Sequence, residues 1–460
     1  MSQTSTPPEA ASSATVAGAA PPGPSLGPYA QLWRWLMHPV ELLEECSRVH
    51  GDCFALRFPD SPPVVVVSSP NDVQRVFRAP PGQLLSGNQS VQMLVGENSL
   101  LMLDGPAHTQ HRQILQPTLH GPNLEQYLET IREVTLRVLA SWPVGRVFAL
   151  HPEMQRITLE VILRTIFGLS DPAEIHSMGD RLTRFLSLMG KPIMRFPLFR
   201  LNLGPLTSWG RAMRLEAEIN RQLYRQIEET RRDGSAGRAD VLARLIRASD
   251  ASGTPFSDLE LRDEMMTLLV AGQETTAIAL AWTVHRLLAH PEVHQQVIAE
   301  HRRVLGSGRV TLEKLRELPY TMAVIDETLR LNPVFPLVVR WVAQPLELSR
   351  HEIPAGWFVA PCTYLAHRRP ESFAEPLAFR PERFLAGRPD TSQYFPFGGG
   401  SHICIGPSFA NFEMKTVLAE MLSRFSLEPG NRGEIKIVRR GFTFVPSNGL
   451  PVRVGRRPEA

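Results

Sequence analysis

A cysteine near the end of the chain lies in a glycine-rich segment whose spacing suits a metal-binding thiolate. The segment FGGGSHICIG (397–406) has the pattern Phe-x-x-Gly-x-x-x-Cys-x-Gly. At a helix start, free backbone N–H groups and the helix dipole stabilise the thiolate of a residue such as Cys404. We expect Gly398 and the two glycines after it to let a flat macrocycle approach the backbone, and Gly406 to admit the following helix. Phe397 would keep the sulfur dry. The alternative is a buried structural cysteine beside a glycine turn.

A second motif, AGQETT (271–276), places polar side chains inside a long apolar segment. Ser257, followed by two acidic residues, predicts a helix start, and the apolar pattern continues to residue 290. A helix that is apolar on most faces is expected to cross the core. Glu274 and Thr275 are then either a polar pair on an exposed helix edge or a functional pair.

With these motifs, residues 28–458 resemble the cytochrome P450 family, the haem-thiolate monooxygenases. The resemblance implies a mainly helical α+β fold with smaller β-sheets, shaped as a triangular prism. It places haem b between the long helix and the helix after the cysteine, with Cys404 as the axial iron ligand. A thiolate ligand pushes electron density onto iron and favours O–O cleavage.

The resemblance also assigns roles within the AGQETT motif. Ala271 is expected to contact the haem, and Gly272 to leave space for dioxygen. The Thr275 hydroxyl is expected to pull on backbone carbonyls and open the helix locally. Together with Glu274 it would supply the protons that productive oxygen activation needs.

Four cations are expected to contact the haem propionates. His108 and Arg112 are spaced i, i+4 and share a helix face. Arg340 matches an arginine of the family, and a guanidinium binds carboxylates bidentately. The family usually has arginine two residues before the cysteine, where this chain has His402, whose imidazole can still donate a hydrogen bond. For each of them the alternative is a solvated surface residue.

A structural charge triad is expected from Glu327, Arg330 and Arg383. Glu and Arg at i, i+3 lie on one helix face, and the family pairs them with the arginine of a later FRPERF segment (379–384). The same Glu-x-x-Arg spacing also occurs at Glu129/Arg132, Glu228/Arg231 and Glu300/Arg303. Position before the cysteine segment selects Glu327 and Arg330, which we expect to lock the fold and not to act in catalysis.

The substrate pocket implied by the resemblance is mostly apolar, with methionines that add adaptability. It would involve segments 84–100, 182–199 and 334–338, with 192–199 as a mobile lid. Its candidate lining residues are Met93, Met189, Met194, Leu268, Val334, Val338, Thr443 and Phe444, each of which could instead be core packing. The expected substrate is lipophilic: a fatty acid, a terpenoid, a steroid or another natural product.

Composition excludes several classes of protein. The 460 residues carry 49 Lys and Arg against 46 Asp and Glu, too small an excess to indicate nucleic-acid binding. Four cysteines without a CxxC pair exclude a disulfide scaffold and a zinc ribbon. No apolar run is long enough for a membrane anchor. We expect a disordered tail (1–27), one catalytic domain (28–460), and a cytoplasmic monomer.

Electrons would have to come from another protein, because the chain has no Walker A or GxGxxG fingerprint. A ferredoxin or flavodoxin with its reductase would use NAD(P)H only indirectly and dock near Arg112 and Lys415. The alternatives are a peroxide-driven hydroxylase, an isomerase, a non-catalytic haem sensor or carrier, and a haem-free helical scaffold. An intact Glu274–Thr275 pair argues against the first two, and the apolar pocket segments argue against the third.

Overall fold

In a computed structural model of the chain, the residues described are 20–121, 123–190, 204–233, 238, 240–251, 253–306, 308–349, 351–431 and 433–457. The α-helices are α1 (Pro28–Met37), α2 (Pro39–His50), α3 (Pro70–Phe77), α4 (Gln92–Val95), α5 (Gly105–Leu115), α6 (Asn123–Ala140), α7 (Leu150–Thr165), α8 (Pro172–Met189), α9 (Ser208–Arg232), α10 (Val241–Ala251), α11 (Asp258–Ala289), α12 (Pro291–Leu305), α13 (Leu312–Arg316), α14 (Pro319–Leu331), α15 (Thr363–Ala366) and α16 (Pro407–Arg424). The strands are β1 (Cys53–Leu56), β2 (Val64–Val67), β3 (Leu84–Ser86), β4 (Val147–Ala149), β5 (Arg340–Val342), β6 (Leu346–Leu348), β7 (His351–Ile353), β8 (Phe358–Pro361), β9 (Phe425–Pro429), β10 (Ile437–Arg440), β11 (Thr443–Pro446) and β12 (Pro451–Arg456).

Helix α11 forms the centre of the helical layer. Its start is a capping box: the Ser257 hydroxyl accepts from the Glu260 N–H at 3.2 Å, and the Glu260 carboxylate accepts from the Ser257 N–H at 2.8 Å. Residues 261–269 and 276–284 are buried, and α11 packs most extensively on α7. The predicted helix start and the predicted path through the core are therefore confirmed.

The largest sheet has the strand order β1-β2-β8-β5-β3. Strands β1 and β2 pair antiparallel, with Phe54 opposite Val66. Strand β5 joins β3 antiparallel with Arg340 opposite Ser86, at the outer edge of the sheet. This register brings a cation beside the segment that leads into α5.

Residues 20–27, which the sequence assigns to an N-terminal tail, contact the folded part of the chain. The Pro22 carbonyl accepts a hydrogen bond from the Ala55 N–H at 2.7 Å, and Pro21 is buried. The Leu26 carbonyl accepts from the Gln31 side chain at 2.7 Å. A proline lacks an N–H but keeps its carbonyl, so this proline-rich stretch can still pair with the edge of β1.

The described residues form three smaller sheets as well. Strands β4, β12 and β9 form one antiparallel sheet, and β10–β11 and β6–β7 are hairpins. The main apolar core lies among the helices and includes the buried Trp282. None of the helices in the described part of the chain combines the length and apolar character that spanning a bilayer requires.

Candidate active site

Cys404 lies in a tight turn directly before α16. Its N–H donates to the Phe397 carbonyl at 2.9 Å, and the Gly406 N–H lies 3.4 Å from its sulfur. It is the exposed one of the four free cysteines. Although the residue is exposed, the protein around the thiol desolvates it and so raises the pKa of Cys404. The Gly406 N–H and Arg112 oppose this shift. A bound cation would reverse that balance and hold the sulfur as a thiolate.

Backbone conformation and packing against α3 account for three glycines of this turn. Gly398 and Gly400 adopt left-handed backbone, with φ of +72° and +71°. A Cβ on Gly399 would lie 2.4 Å from the Phe77 ring, and one on Gly400 would lie 2.8 Å from the Phe77 carbonyl. These two glycines therefore make room for α3. Beside Gly406 the nearest protein atom would be 4.0 Å away.

Two arginines approach the same turn from different elements. Arg112 of α5 donates to the Ile403 carbonyl at 2.7 Å and lies 3.4 Å from the Cys404 carbonyl. Arg340 of β5 donates to the Gly399 carbonyl at 3.1 Å and is 7% exposed. Burial lowers the pKa of Arg340 to about 10, against the opposing charge of Asp104. Both predicted cations are thus at the cysteine loop.

Two histidines complete the cluster. The His108 and His402 ring centroids are 4.2 Å apart, and burial, followed by the nearby His402, lowers the pKa of His108 to about 4. His402 donates through Nε2 to the Asp104 carboxylate at 2.9 Å. Asp104 was not predicted. Its signal, an aspartate before a helix, looks like an ordinary N-cap in the sequence.

The cluster as a whole is short of negative charge. In the described part of the chain, Arg112 and Arg340 donate to backbone carbonyls and form ion pairs with no carboxylate. A buried guanidinium without a counter-charge is costly. The cluster therefore fits a ligand that carries carboxylates beside a metal bound at Cys404.

The AGQETT segment forms an accessible turn in an otherwise buried helix. Ala271 is exposed and Thr275 is half-buried. The Thr275 hydroxyl donates to the Ala271 carbonyl at 2.6 Å. The expected local opening is not present, because α11 continues as α-helix through this turn. A hydroxyl can share the carbonyl of residue i−4 without breaking the helix.

The packing of α7 against α11 requires a glycine at Gly272, and the sequence did not indicate this contact. A Cβ on this residue would lie 2.7 Å from the Ile162 Cδ1 of α7. The glycine thus allows α7 and α11 to approach closely. This differs from the expected role, in which the missing side chain leaves space for dioxygen.

Glu274 lies beside polar groups from α7 and β10. Its carboxylate accepts from the Gln155 amide, lies 3.7 Å from the His151 Nε2, and lies 3.6 Å from the Arg440 guanidinium. Burial raises the pKa of Glu274, while Gln155 and Arg440 oppose the shift. Burial also lowers the pKa of His151 to about 4. These partners lie more than a hundred residues away from Glu274 in sequence, and no local pattern marks them.

Helix α5 connects the two parts of the site. His111 Nδ1 lies 2.8 Å from the Glu264 carboxylate of α11, and the adjacent Arg112 contacts the cysteine loop. The Ser99 and Thr267 hydroxyls, 2.5 Å apart, tie the preceding segment to α11 as well. One short helix therefore holds the accessible turn of α11 in a fixed relation to Cys404.

Comparison with known proteins adds the family. A family model for cytochrome P450 matches residues 19–450. The chain belongs to the cytochrome P450 family. The putative cytochrome P450 135B1 of Mycobacterium tuberculosis is 33% identical, over 94% of this chain and 91% of that protein. The putative cytochrome P450 137 of the same species is 36% identical, over 85% and 80%.

Solved P450 structures share the fold. The haem domain of cytochrome P450DA superimposes with a TM-score of 0.86 at 26% identity, covering 96% of this chain and 99% of that one. A retinoic acid-bound cyanobacterial CYP120A1 gives 0.84 at 24% identity, covering 96% and 100%. The protein is therefore a P450 haem monooxygenase with the α+β fold that its sequence predicts. The exposed Cys404 and the unpaired cations fit the haem-thiolate group of this family.

The structure brings the three triad residues of this P450 together. Glu327 and Arg330 are fully buried and bonded twice, at 2.6 and 2.9 Å. The Arg383 Nε donates to the Glu327 carboxylate at 3.1 Å. Of the other Glu-x-x-Arg pairs, Glu129 and Arg132 also form an ion pair, at 3.3 Å, but the Glu129 side chain is 59% exposed. Glu300 instead accepts from backbone N–H groups at the start of α14.

The predicted pocket residues of the P450 do not all line one cavity. Met93 is 37% exposed and Val338 is half-buried, whereas Leu268 and Val334 belong to the main core. Phe444 is 1% exposed and lies in a second core cluster near the N-terminal helices. Thr443 is buried, and its hydroxyl donates to the Arg440 carbonyl. Met194 and the predicted lid at 192–199 lie outside the described residues.

Lys415 differs from the expected docking cation. Its ammonium donates to the Leu315 carbonyl at 2.7 Å, and burial lowers the pKa of Lys415. The side chain is thus engaged within the P450 fold between α16 and α13. Arg112 lies directly at the cysteine loop, although it too is half-buried.

Proposed function

We propose that this P450 inserts one atom of dioxygen into a lipophilic substrate, by hydroxylation or epoxidation of a fatty acid, terpenoid, steroid or other natural product. The proposal depends on one observation above all: Cys404, the exposed cysteine, lies beside Arg112 and Arg340, which form no ion pair with any described residue. Haem b, when bound, supplies the redox chemistry that activates dioxygen. We further propose that the P450 domain is soluble and works as a monomer in the cytoplasm.

In this proposal two groups of residues hold the haem: one contacts the iron, and the other contacts the haem carboxylates. The Cys404 sulfur would hold the haem iron, and the Gly406 N–H would moderate the basicity of that sulfur. Arg112 and Arg340 would bind the haem carboxylates, with His108 and His402 as further contacts, and the two arginines would so gain the ion pairs that no described residue gives them. Binding the haem would remove the cost of burying these cations.

Proton supply is assigned to Glu274. Because burial raises its pKa, the carboxyl holds a proton at a higher pH than an exposed glutamate. Arg440, whose side chain is 59% exposed, places that carboxyl next to solvent. The Thr275 hydroxyl, one residue along α11, is assigned to orient the proton donor at the accessible turn.

Electrons are proposed to come from a ferredoxin or flavodoxin with its reductase, which oxidises NAD(P)H. The chain offers no nucleotide fingerprint of its own. We place the docking surface at the cysteine loop near Arg112. Lys415 has a weaker claim because its ammonium already donates to a backbone carbonyl.

A spectral screen tests the haem and narrows the substrate together. The purified haem-loaded protein is titrated with lipophilic compounds, and the Soret band is followed for the shift that loss of the iron-bound water produces. Saturable shifts with apolar compounds support the proposal. No shift with any of them, or product formation with peroxide but none with a reducing system, would favour a different haem-thiolate function.

Thr275→Ala tests the proton assignment. We expect unchanged haem binding and substrate spectra, with most of the reducing equivalents diverted to peroxide, because the hydroxyl beside Glu274 is lost. The measurement is the ratio of product to reductant consumed, with Thr283→Ala as control. Thr283 is a buried residue of the same helix with the same bond to the carbonyl at i−4. Full coupling in Thr275→Ala would remove the assigned role.

A further inference from the structure

We propose that Asp104 is a positioning residue that holds the His402 ring in place for haem binding. The Asp104 carboxylate accepts from the His402 Nε2 at 2.9 Å and from the Ser86 N–H at 3.0 and 3.1 Å. Asp104 thereby joins β3, the start of α5 and the cysteine loop. This inference rests on the proposed function, since its effect is on haem retention.

The usual reason for an aspartate at this position does not apply. Asp104 precedes α5 with an extended backbone, where such a side chain ordinarily caps the first N–H groups of the helix. Here it caps none of them. Its hydrogen bonds go to Ser86 and His402 instead, so the carboxylate serves the site and not the helix.

His402 depends on this carboxylate for its orientation. An ionised carboxylate only accepts hydrogen bonds, so the Nε2 of His402 carries the proton and the ring direction is fixed. The His402 side chain is 8% exposed, and its ring lies against that of His108. Without Asp104, a buried N–H would lose its partner and the ring could rotate about its side-chain bonds.

Asp104 also acts on the cation cluster. Its negative charge opposes the lowering of the Arg340 pKa that burial causes. The carboxylate accepts a hydrogen bond from the Ser86 N–H, and Ser86 lies opposite Arg340 in the sheet. Partners of this kind around a metal site typically change affinity by about 10- to 100-fold when they are removed. The sequence offers His402 in place of the arginine common in the family, and Asp104 supplies the fixed geometry that a lone imidazole lacks.

The test is a double-mutant cycle on the haem-loaded protein. Haem transfer to excess apomyoglobin is timed for the wild type, Asp104→Ala, His402→Ala and the double variant. We expect each single variant to lose haem about tenfold faster or more. The double variant should lose it little faster than His402→Ala, because Asp104 acts through His402.

Two further variants separate positioning from general stability. Asp171→Ala removes an aspartate that also precedes a helix and accepts from the Ala173 N–H at 3.0 Å. It should lower the melting temperature without changing haem transfer. Asp104→Asn keeps an acceptor oxygen and should retain haem better than Asp104→Ala. Both Asp104 variants should raise the reduction potential, because each removes a negative charge near the haem.

Normal haem retention in Asp104→Ala, or single effects that multiply fully in the double variant, would overturn the inference. If Asp104→Ala does not fold, Asp104→Leu, which also lacks an acceptor for the His402 N–H, takes its place in the cycle and is judged by the same two outcomes. A wild-type protein that binds no haem through Cys404 would instead overturn the proposed function. The two failures are therefore distinguishable.

Discussion

Two buried arginines of this P450 have opposite surroundings. Arg330 is fully buried, and all five of its N–H groups have acceptors: the Glu327 carboxylate and three backbone carbonyls. Arg340 is 7% exposed and donates to two backbone carbonyls, with no ion pair among the described residues. The first charge is satisfied by the chain, whereas the second is left for a ligand.

The difference separates structure from function within one residue type. A complete buried network costs little to keep and much to break. An incomplete network leaves a buried charge whose desolvation is not compensated, and binding of a matching anion can supply that compensation. Burial alone would have grouped Arg330 with Arg340. Their acceptors distinguish them, and on that ground we propose Arg340, and not Arg330, for the haem site.

Loss of Arg330 should have the largest effect on stability. Arg330→Met leaves the buried Glu327 with a weakened set of partners and should cost about 3–5 kcal/mol of unfolding free energy. Urea unfolding of the haem-loaded variant measures this loss of free energy. A variant that fails to accumulate as folded protein would show the same destabilisation. The control is Arg184→Met, since Arg184 pairs with Asp180 on the surface, with exposed fractions of 67% and 52%. That change should cost less than about 1 kcal/mol. Equal effects would erase the distinction between closed and surface networks.

Loss of Arg340 should act on the haem instead. Arg340→Met leaves no carboxylate unpaired, so the fold is retained, but haem transfer to apomyoglobin should become about 10- to 100-fold faster. The same transfer assay on Arg330→Met, if it folds, should show a smaller change. If Arg340→Met held haem as tightly as the wild type, Arg340 would not be a haem-binding cation.

A buried carboxyl on α16 offers a smaller, pH-dependent test. Glu413 is fully buried, neither of its oxygens has a hydrogen-bond partner among the described residues, and burial raises its pKa well above the ordinary value. Above about pH 4.5 the unfolded chain ionises this group while the folded protein keeps it protonated. Stability should therefore fall as pH rises, with a slope of up to about 1.4 kcal/mol per pH unit from this residue.

Glu413→Gln should abolish that slope. The variant should match the wild type near pH 4.5 and exceed its unfolding free energy at pH 8. The measurement is urea unfolding across this range, compared with Glu428→Gln, which changes an exposed glutamate of β9. A wild-type and a Glu413→Gln curve that run parallel would show that the carboxyl does not stay protonated in the fold.

Short-range patterns allowed much of this account to be predicted from the sequence. The cysteine turn, the capping box at Ser257 and the Glu327–Arg330 pair each depend on residues within ten positions of one another. Asp104, by contrast, contacts His402 across 298 positions, and Gln155 contacts Glu274 across 119. A single sequence carries no periodic signal for such pairs, because tertiary packing alone decides them.

Glycines show the same limit in another form. Gly272 and Gly399 were identified correctly as special, but their neighbours in space, Ile162 and Phe77, were unknown. A glycine in a motif reports that something approaches the backbone closely. It does not report whether that neighbour is a cofactor or another helix.

The central claim is that the Cys404 sulfur binds haem iron. The most direct measurement is the Soret band of the ferrous carbon monoxide complex in the wild type and in Cys404→Ser, with Cys362→Ser, a buried cysteine of the core, as control. We predict the red-shifted band of thiolate ligation in the wild type and in Cys362→Ser, and its loss in Cys404→Ser. An unchanged band in Cys404→Ser would contradict the account.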